Sequence, residues 1–151
     1  MSLKQQVVQE ARTWLGTAFH HQGRLKKTEQ HHGGCDCLGL IIEVARKLDL
    51  KTKYALPIHQ LDQQNYTQIP DGHELEMQLA QNFSKKEIAK TSPGDLALLA
   101  FAKTPQHLAI VGEIESRLTL IHAYSTIGFV CEHTLDAKWY RRMVAVYSFS
   151  N

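Results

Sequence analysis

Three residues form a set able to carry nucleophilic chemistry: Cys37, His107 and His122. A nucleophilic cysteine must reach its thiolate, a form favoured by a helix N-terminus and by a neighbouring imidazolium. From Cys37 onward Leu38, Ile41, Ile42, Ala45 and Leu48 recur at helical spacing, which predicts a helix to about Leu48 with the thiol in its first turn. Gly33 and Gly34 let the backbone turn tightly before it, and Gly39 leaves the first turn uncluttered so that a substrate can approach the sulfur. On this local sequence alone, Cys37 reads equally well as a small buried apolar residue.

His107 and His122 fall in two runs with strand character, with Glu113 to Ser116 as the turn between them. Fourteen residues separate them, an even number, so in a regular hairpin the two rings share a face and are neighbours. Ala109 and Val111 share the His107 face, and Leu120 and Leu118 share the His122 face, so both rings point to an apolar side expected to meet the helices. One histidine there would be an ordinary satisfied core residue. Two side by side require a polar explanation, and a base with an orienting partner supplies one.

The elements that must position this set follow from periodicity. Val7, Val8, Ala11, Trp14 and Leu15, with Gly16 behind them, predict an amphipathic helix over Ser2 to Leu15. Thr17 to Gly34 is polar and glycine-containing and reads as a surface loop. Lys51 to Pro70 lacks periodicity and reads as an irregular connection, the place for a substrate wall or partner surface. Leu75, Leu79 and Phe83 predict a further helix from His73 to Phe83, with Asp71 and Glu74 resembling a capping box. After Ser92-Pro93-Gly94 the short apolar runs Asp95–Ala102, His107–Ile114, Arg117–Tyr124, Phe129–His133 and Met143–Phe149 predict strands. Helices first and hairpin-linked strands afterwards give an α+β class, N-terminal helices packed on a C-terminal antiparallel sheet of about five strands.

With 151 residues, 43% of them hydrophobic, the chain fits one domain, 1–151. The formal charge of +2 is spread along the sequence and makes no case for nucleic acid. The longest apolar stretch, Leu96 to Ala102, is far short of the ~20 residues of a membrane span. Met1 to Leu15 has no secretory signal pattern. Three cysteines, Cys35, Cys37 and Cys131, leave at least one free thiol. His31, His32, Cys35 and Cys37 are good zinc ligands in a short stretch, but their spacing is not that of a structural zinc site, and no metal or cofactor is expected. His59, His73 and His133 read as surface residues.

The stretch Gly34-Cys35-Asp36-Cys37-Leu38-Gly39-Leu40 resembles the nucleophile motif of NlpC-type cell-wall endopeptidases. Ser92-Pro93-Gly94-Asp95-Leu96 resembles the segment that opens their first core strand. Gln106 to Gly112 resembles their base-bearing strand, and Leu120-Ile121-His122-Ala123 the strand with their third polar residue. Together with Trp14-Leu15-Gly16-Thr17, the likeness runs over nearly the whole chain. The resemblance implies a papain-like fold and a cysteine peptidase acting on peptidoglycan stem peptides after a γ-linked D-glutamyl residue. Cys37 would be the nucleophile, His107 the base and His122 its orienting residue. Asp36, Phe19 and His20 would contact substrate, Asp36 serving equally well as a helix cap. Where such proteins usually carry a tyrosine, this chain has Phe19, and Leu38 stands where many have serine. The loop Phe19-His20-His21-Gln22-Gly23-Arg24 is most similar to that of phage-tail and prophage members, which implies synthesis in the cytoplasm, delivery to the wall by a tail or lysis route, and tail proteins as partners. A silent module of a tail-like assembly, or an amidase or acyltransferase on the same core, are the alternatives. Relatives acting on lipids carry the histidine before the cysteine, the opposite of the order here.

Overall fold

A computed structural model describes residues 1–62 and 72–150. Helix α1 (Leu3–Arg12) starts at Ser2, whose hydroxyl accepts the Gln5 N–H at 3.1 Å while the Gln5 side chain accepts the Ser2 N–H at 2.8 Å. That reciprocal pair satisfies two N–H groups left open at the helix end. The helix is shorter than its periodicity suggests, because the chain turns after Thr13 and buries Trp14 from the turn. Strands β1 (Arg24–Leu25) and β2 (Gly34–Cys35) pair antiparallel inside the segment expected to be a loop. Helix α2 (Cys37–Leu48) has the predicted bounds and ends on Asp49 in the left-handed region. A 3₁₀ turn (Ile58–Leu61) follows, and then α3 (Gly72–Asn82). Asp71, half of the expected capping box, and residues 63–70 lie outside the described residues.

Among the described residues the sheet contains six antiparallel strands in place of about five. In chain order they are β3 (Ser84–Lys86), β4 (Leu96–Phe101), β5 (Thr104–Ile114), β6 (Arg117–Tyr124), β7 (Phe129–Thr134) and β8 (Met143–Ser148). Across the sheet the order is β3-β8-β4-β5-β6-β7. The extra strand is β3, three polar residues with no apolar alternation, which only its pairing with β8 makes a strand. A short helix, α4 (Ala137–Tyr140), precedes β8.

The sheet is buried on both faces, and this decides which way the histidines point. Leu96, Leu98, Leu108, Ile110, Ile121 and Tyr147 pack with residues of the helices in one core. Ala97, Leu99, Ala109, Val111 and Leu120 form a second core on the other face, closed by Trp139 of α4 and by Met143. His107 and His122 lie on this second face, not on the helix face as expected from the apolar pattern. Leu96–Leu99 and Leu108–Val111 are continuous apolar runs, so strand alternation carries no mark of which face the helices cover.

Asp95 ties these layers together. It is fully buried, and its carboxylate accepts hydrogen bonds from the Ser92 N–H at 2.8 Å, Lys86 Nζ at 2.6 Å and Lys4 Nζ at 3.1 Å. One anion thus joins α1, β3 and the turn into β4. Among the described residues, no helix is long and apolar enough to cross a membrane.

Candidate active site

Asp36 sets the start of α2. Its carboxylate accepts the Gly39 N–H at 2.8 Å as the N-cap, and also the Gln22 N–H at 2.8 Å and Arg24 Nη1 at 3.2 Å. Arg24 in turn grips Asp62 through Nε and Nη2, the latter at 2.8 Å. Both arginine and carboxylates are nearly buried. The loop before the helix is thereby fixed to its first turn. Gly39 is needed for that contact: a Cβ there would collide with the Gly23 carbonyl and come within 2.9 Å of Arg24 Nη1. The room that Gly39 leaves is filled by this loop rather than kept open for substrate. Asp36 thus caps the helix with both oxygens engaged, and it also lines the cavity that Cys37 faces.

Cys37 follows at the first position of α2 and is half-buried. The backbone N–H groups of Cys37, Leu38 and Leu108 favour its thiolate. Burial is the larger influence, followed by the adjacent Asp36 charge, and the thiol is pushed up to about 12. These three N–H groups oppose the rise without cancelling it. Cys37 in the free protein is a thiol.

The β5–β6 ladder ends at Ile110 and Ile121, short of Leu108. On the other side of β5, the register with β4 shifts between Leu99 and Ala100, opposite His107 and Pro105. Such bulges re-aim side chains and recur beside functional sites. Cys37 and His107 line one cavity of about 670 Å³, together with Phe19, His21, Gln106 and Tyr124 among others. Ile58 and Leu61 also line it, so the irregular connection does supply part of a wall.

His107 Nε2 lies 2.6 Å from His122 Nδ1. The hairpin turns on Glu115 and Ser116, both in the left-handed region as a two-residue turn requires. Ile114 pairs with Arg117, and continuing this register sets the two histidines diagonally, with Ala109 opposite His122. They share a face as expected but are not directly opposed. His122 is fully buried, stacked on Tyr124 at 5.3 Å and met edge-on by Trp139 at 5.2 Å. Phe101 covers His107 at 5.3 Å. Burial in this aromatic enclosure holds both imidazoles well below the usual histidine range, so both are neutral.

A third imidazole was missed by the sequence reading. His133, expected at the surface, is half-buried on β7, and its Nε2 lies 2.8 Å from His122 Nε2. Its Nδ1 lies 3.0 Å from the Thr134 carbonyl oxygen, which can only accept, so Nδ1 carries the proton. With His107 and His122 neutral, one direction of donation satisfies every contact. His133 Nε2 accepts from His122 Nε2–H, His122 Nδ1 accepts from His107 Nε2–H, and His107 is left with its lone pair on Nδ1. The only sequence signal was spacing: His133 lies two residues beyond Cys131, the residue opposite His122, and therefore on the same face.

The remaining expectations divide. Phe19 lines the cavity, whereas His20 is exposed and does not; its neighbour His21 does. His31 and His32 are exposed while Cys35 is buried in the core, and the four candidate zinc ligands of this loop form no cluster.

No sequence model of a protein family matches the chain, and no curated protein matches it by sequence. Solved structures do match. The NlpC/p60 domain of the peptidoglycan hydrolase SagA superposes with a TM-score of 0.60 at 19% identity, over 96% of this chain and 97% of that one. An NlpC/P60 family protein from Bacillus cereus ATCC 10987 gives 0.61 at 15% identity, over 95% of this chain and 39% of that one. The fold is the NlpC/P60 fold. An N-acetylmuramoyl-L-alanine amidase from Bacteroides uniformis ATCC 8492 also superposes, at 0.58 and 11% identity, over 99% of both chains. At these identities the likeness carries the architecture alone.

Proposed function

We propose that the chain is a cysteine peptidase that hydrolyses an amide bond in peptidoglycan stem peptides, between γ-D-glutamate and the following diamino acid. The observation that carries this reading is the shared cavity of Cys37 and His107, with the His107 ring held at its far nitrogen by His122. The NlpC/P60 fold and the hydrolase activity of its structural neighbour SagA support the substrate class.

In this reading the reaction begins from a neutral thiol and a neutral imidazole. As the sulfur attacks the amide carbonyl, its proton passes to His107 Nδ1, and His122 Nδ1 stabilises the resulting imidazolium by accepting its Nε2–H. The Cys37 N–H then stabilises the oxyanion. The C–N bond then breaks, His107 returns the proton to the leaving amine, and an acyl-enzyme remains on Cys37. Water, activated by His107, releases the acid and regenerates the thiol. Phe19 offers an aromatic wall without a hydroxyl.

Hydrolysis of purified stem peptides by wild type and Cys37→Ala, with products identified by mass, tests the reading. Cleavage after D-glutamate that disappears in the variant is expected. The likeness to an amidase over the full length favours one second reading, cleavage at the muramoyl–L-alanine amide, which the product masses distinguish. Folded wild type that cleaves neither bond would instead be an acyltransferase or amidase on a different acyl substrate, or a silent structural module. Delivery by a phage-tail or lysis route rests on the Phe19 to Arg24 loop resemblance.

A further inference from the structure

We propose that His122, Cys131 and His133 form a zinc site whose occupancy switches off the base. Their ligating atoms all lie within 4.8 Å of one another, and among the described residues this is the one group of three such side chains that converges. It is distinct from the loop cluster of His31, His32, Cys35 and Cys37.

The donor set is two imidazoles and a thiol. Imidazole and thiolate together suit zinc and exclude magnesium or calcium, which take oxygen ligands. Cys131 stands directly opposite His122 in the β6–β7 register, so its side chain projects from the same face. His133 offers Nε2 because its Nδ1–H is already held by the Thr134 carbonyl, the outer-shell arrangement usual for a metal-bound histidine. Two nitrogens on one tetrahedral zinc at about 2.0–2.1 Å each stand roughly 3.3 Å apart. The present 2.8 Å separation therefore needs to open by about half an ångström. His133 and Cys131 are half-buried on the edge strand β7 and can move that far. Their partial exposure gives the ion a path and leaves a fourth position to water. Binding displaces the thiol proton of Cys131 to solvent.

The consequence reaches the nucleophile through protons. A zinc ion on His122 Nε2 takes that lone pair, so the neutral ring must carry its hydrogen on Nδ1. Nδ1–H then donates to His107 Nε2, and His107 holds its own proton on Nδ1. The atom that accepts the Cys37 proton is filled. This inhibitory half rests on the proposed function; the binding half does not.

Untagged protein titrated with Co²⁺, followed by displacement with Zn²⁺, tests the site. One equivalent of Co²⁺ is expected to give a thiolate-to-cobalt charge-transfer band, retained in Cys37→Ala, absent in Cys131→Ser and bleached by zinc. Zinc affinity should fall at least tenfold in Cys131→Ser, since even outer-shell losses weaken metal sites by 10–100-fold. No band in wild type, a band that survives Cys131→Ser, or one that is lost in Cys37→Ala would overturn the site. In stem-peptide hydrolysis, one equivalent of zinc should slow wild type and spare Cys131→Ser; equal rates with bound zinc overturn the switch. A cobalt–thiolate band in a protein that cleaves nothing would uphold the metal site while removing the peptidase reading.

Discussion

His133 and His122 meet Nε2 to Nε2 at 2.8 Å, so one proton lies between two like atoms and its ownership sets the direction of the whole imidazole chain. The Thr134 carbonyl decides that ownership from the far end. Replacing His133 by Phe removes the acceptor and frees His122 to adopt either tautomer. We expect kcat to fall by roughly ten- to a hundredfold, below the 10²–10⁴ that general acid–base catalysis as a whole contributes, with KM little changed. His133→Gln, whose amide oxygen can accept the same hydrogen bond, should recover part of the loss. Steady-state kinetics on a stem peptide read both effects, and equal losses in Phe and Gln variants would mean a packing role only.

The thiol of Cys37 should be a slow nucleophile toward reagents that bring no base-assisting geometry. Burial raises it to about 12, so its thiolate fraction at neutral pH is far below that of an ordinary cysteine. Iodoacetamide labelling followed by mass mapping should show Cys37 modified at least tenfold more slowly than a free cysteine at the same pH. Faster labelling would show a thiolate already formed in the free protein.

Stability should form a plateau in pH with a different cause at each edge. His107 and His122 have folded values depressed below the ordinary 6.5, so the unfolded chain binds more protons below that pH. Their contribution is present above about 6.5 and is lost as the solution is acidified, at up to about 1.4 kcal/mol per pH unit for each ring. Cys35 and Cys37 are raised from 9.0 to about 12. Their contribution is present below 9 and is lost as pH climbs from there toward 12. Calorimetric melting across pH should decline on both sides, and His122→Phe, which keeps an aromatic ring without a titrating group, should flatten the acid limb.

Arg24 is expected to be a structural centre of the site. Replacing it by Met removes the guanidinium that the nearly buried Asp36 and Asp62 carboxylates share. Loss of about 3–5 kcal/mol is the scale for removing one partner of such a pair. Denaturant unfolding measures it, and a loss below 1 kcal/mol would show that solvent replaces the guanidinium.

How much of this was legible beforehand depended on whether a residue's role was local. Helix α2 was read with its correct bounds because its apolar stripe and the start at Asp36-Cys37 are local signals. The strand carrying Arg117–Tyr124 was bounded equally well by its turn residues. The histidine pairing followed from parity, which survives a shift of the turn centre by one residue, since both partners stay on one face. The face itself was assigned wrongly, because a sheet buried on both sides has no alternation to read. His133 and β3 escape for a related reason: each is defined by a partner distant in the chain, His122 or β8, and only the spacing of His133 from Cys131 hints at the first.

The segment from Gly16 to Phe19 holds the exposed edge of the sheet. The Gly16 N–H donates to the Val130 carbonyl, the Val130 N–H to Thr17 and the Phe19 N–H to Gly128, while Ala18 accepts from the Cys35 N–H on the other side. The same few residues therefore present Phe19 to the cavity and cover the start of β7 against pairing with other chains. Substrate preference and resistance to aggregation are coupled here: a change that re-shapes the aromatic wall also loosens the seal on a sheet edge, and selection for a new substrate in this loop would have to pass a test of solubility first.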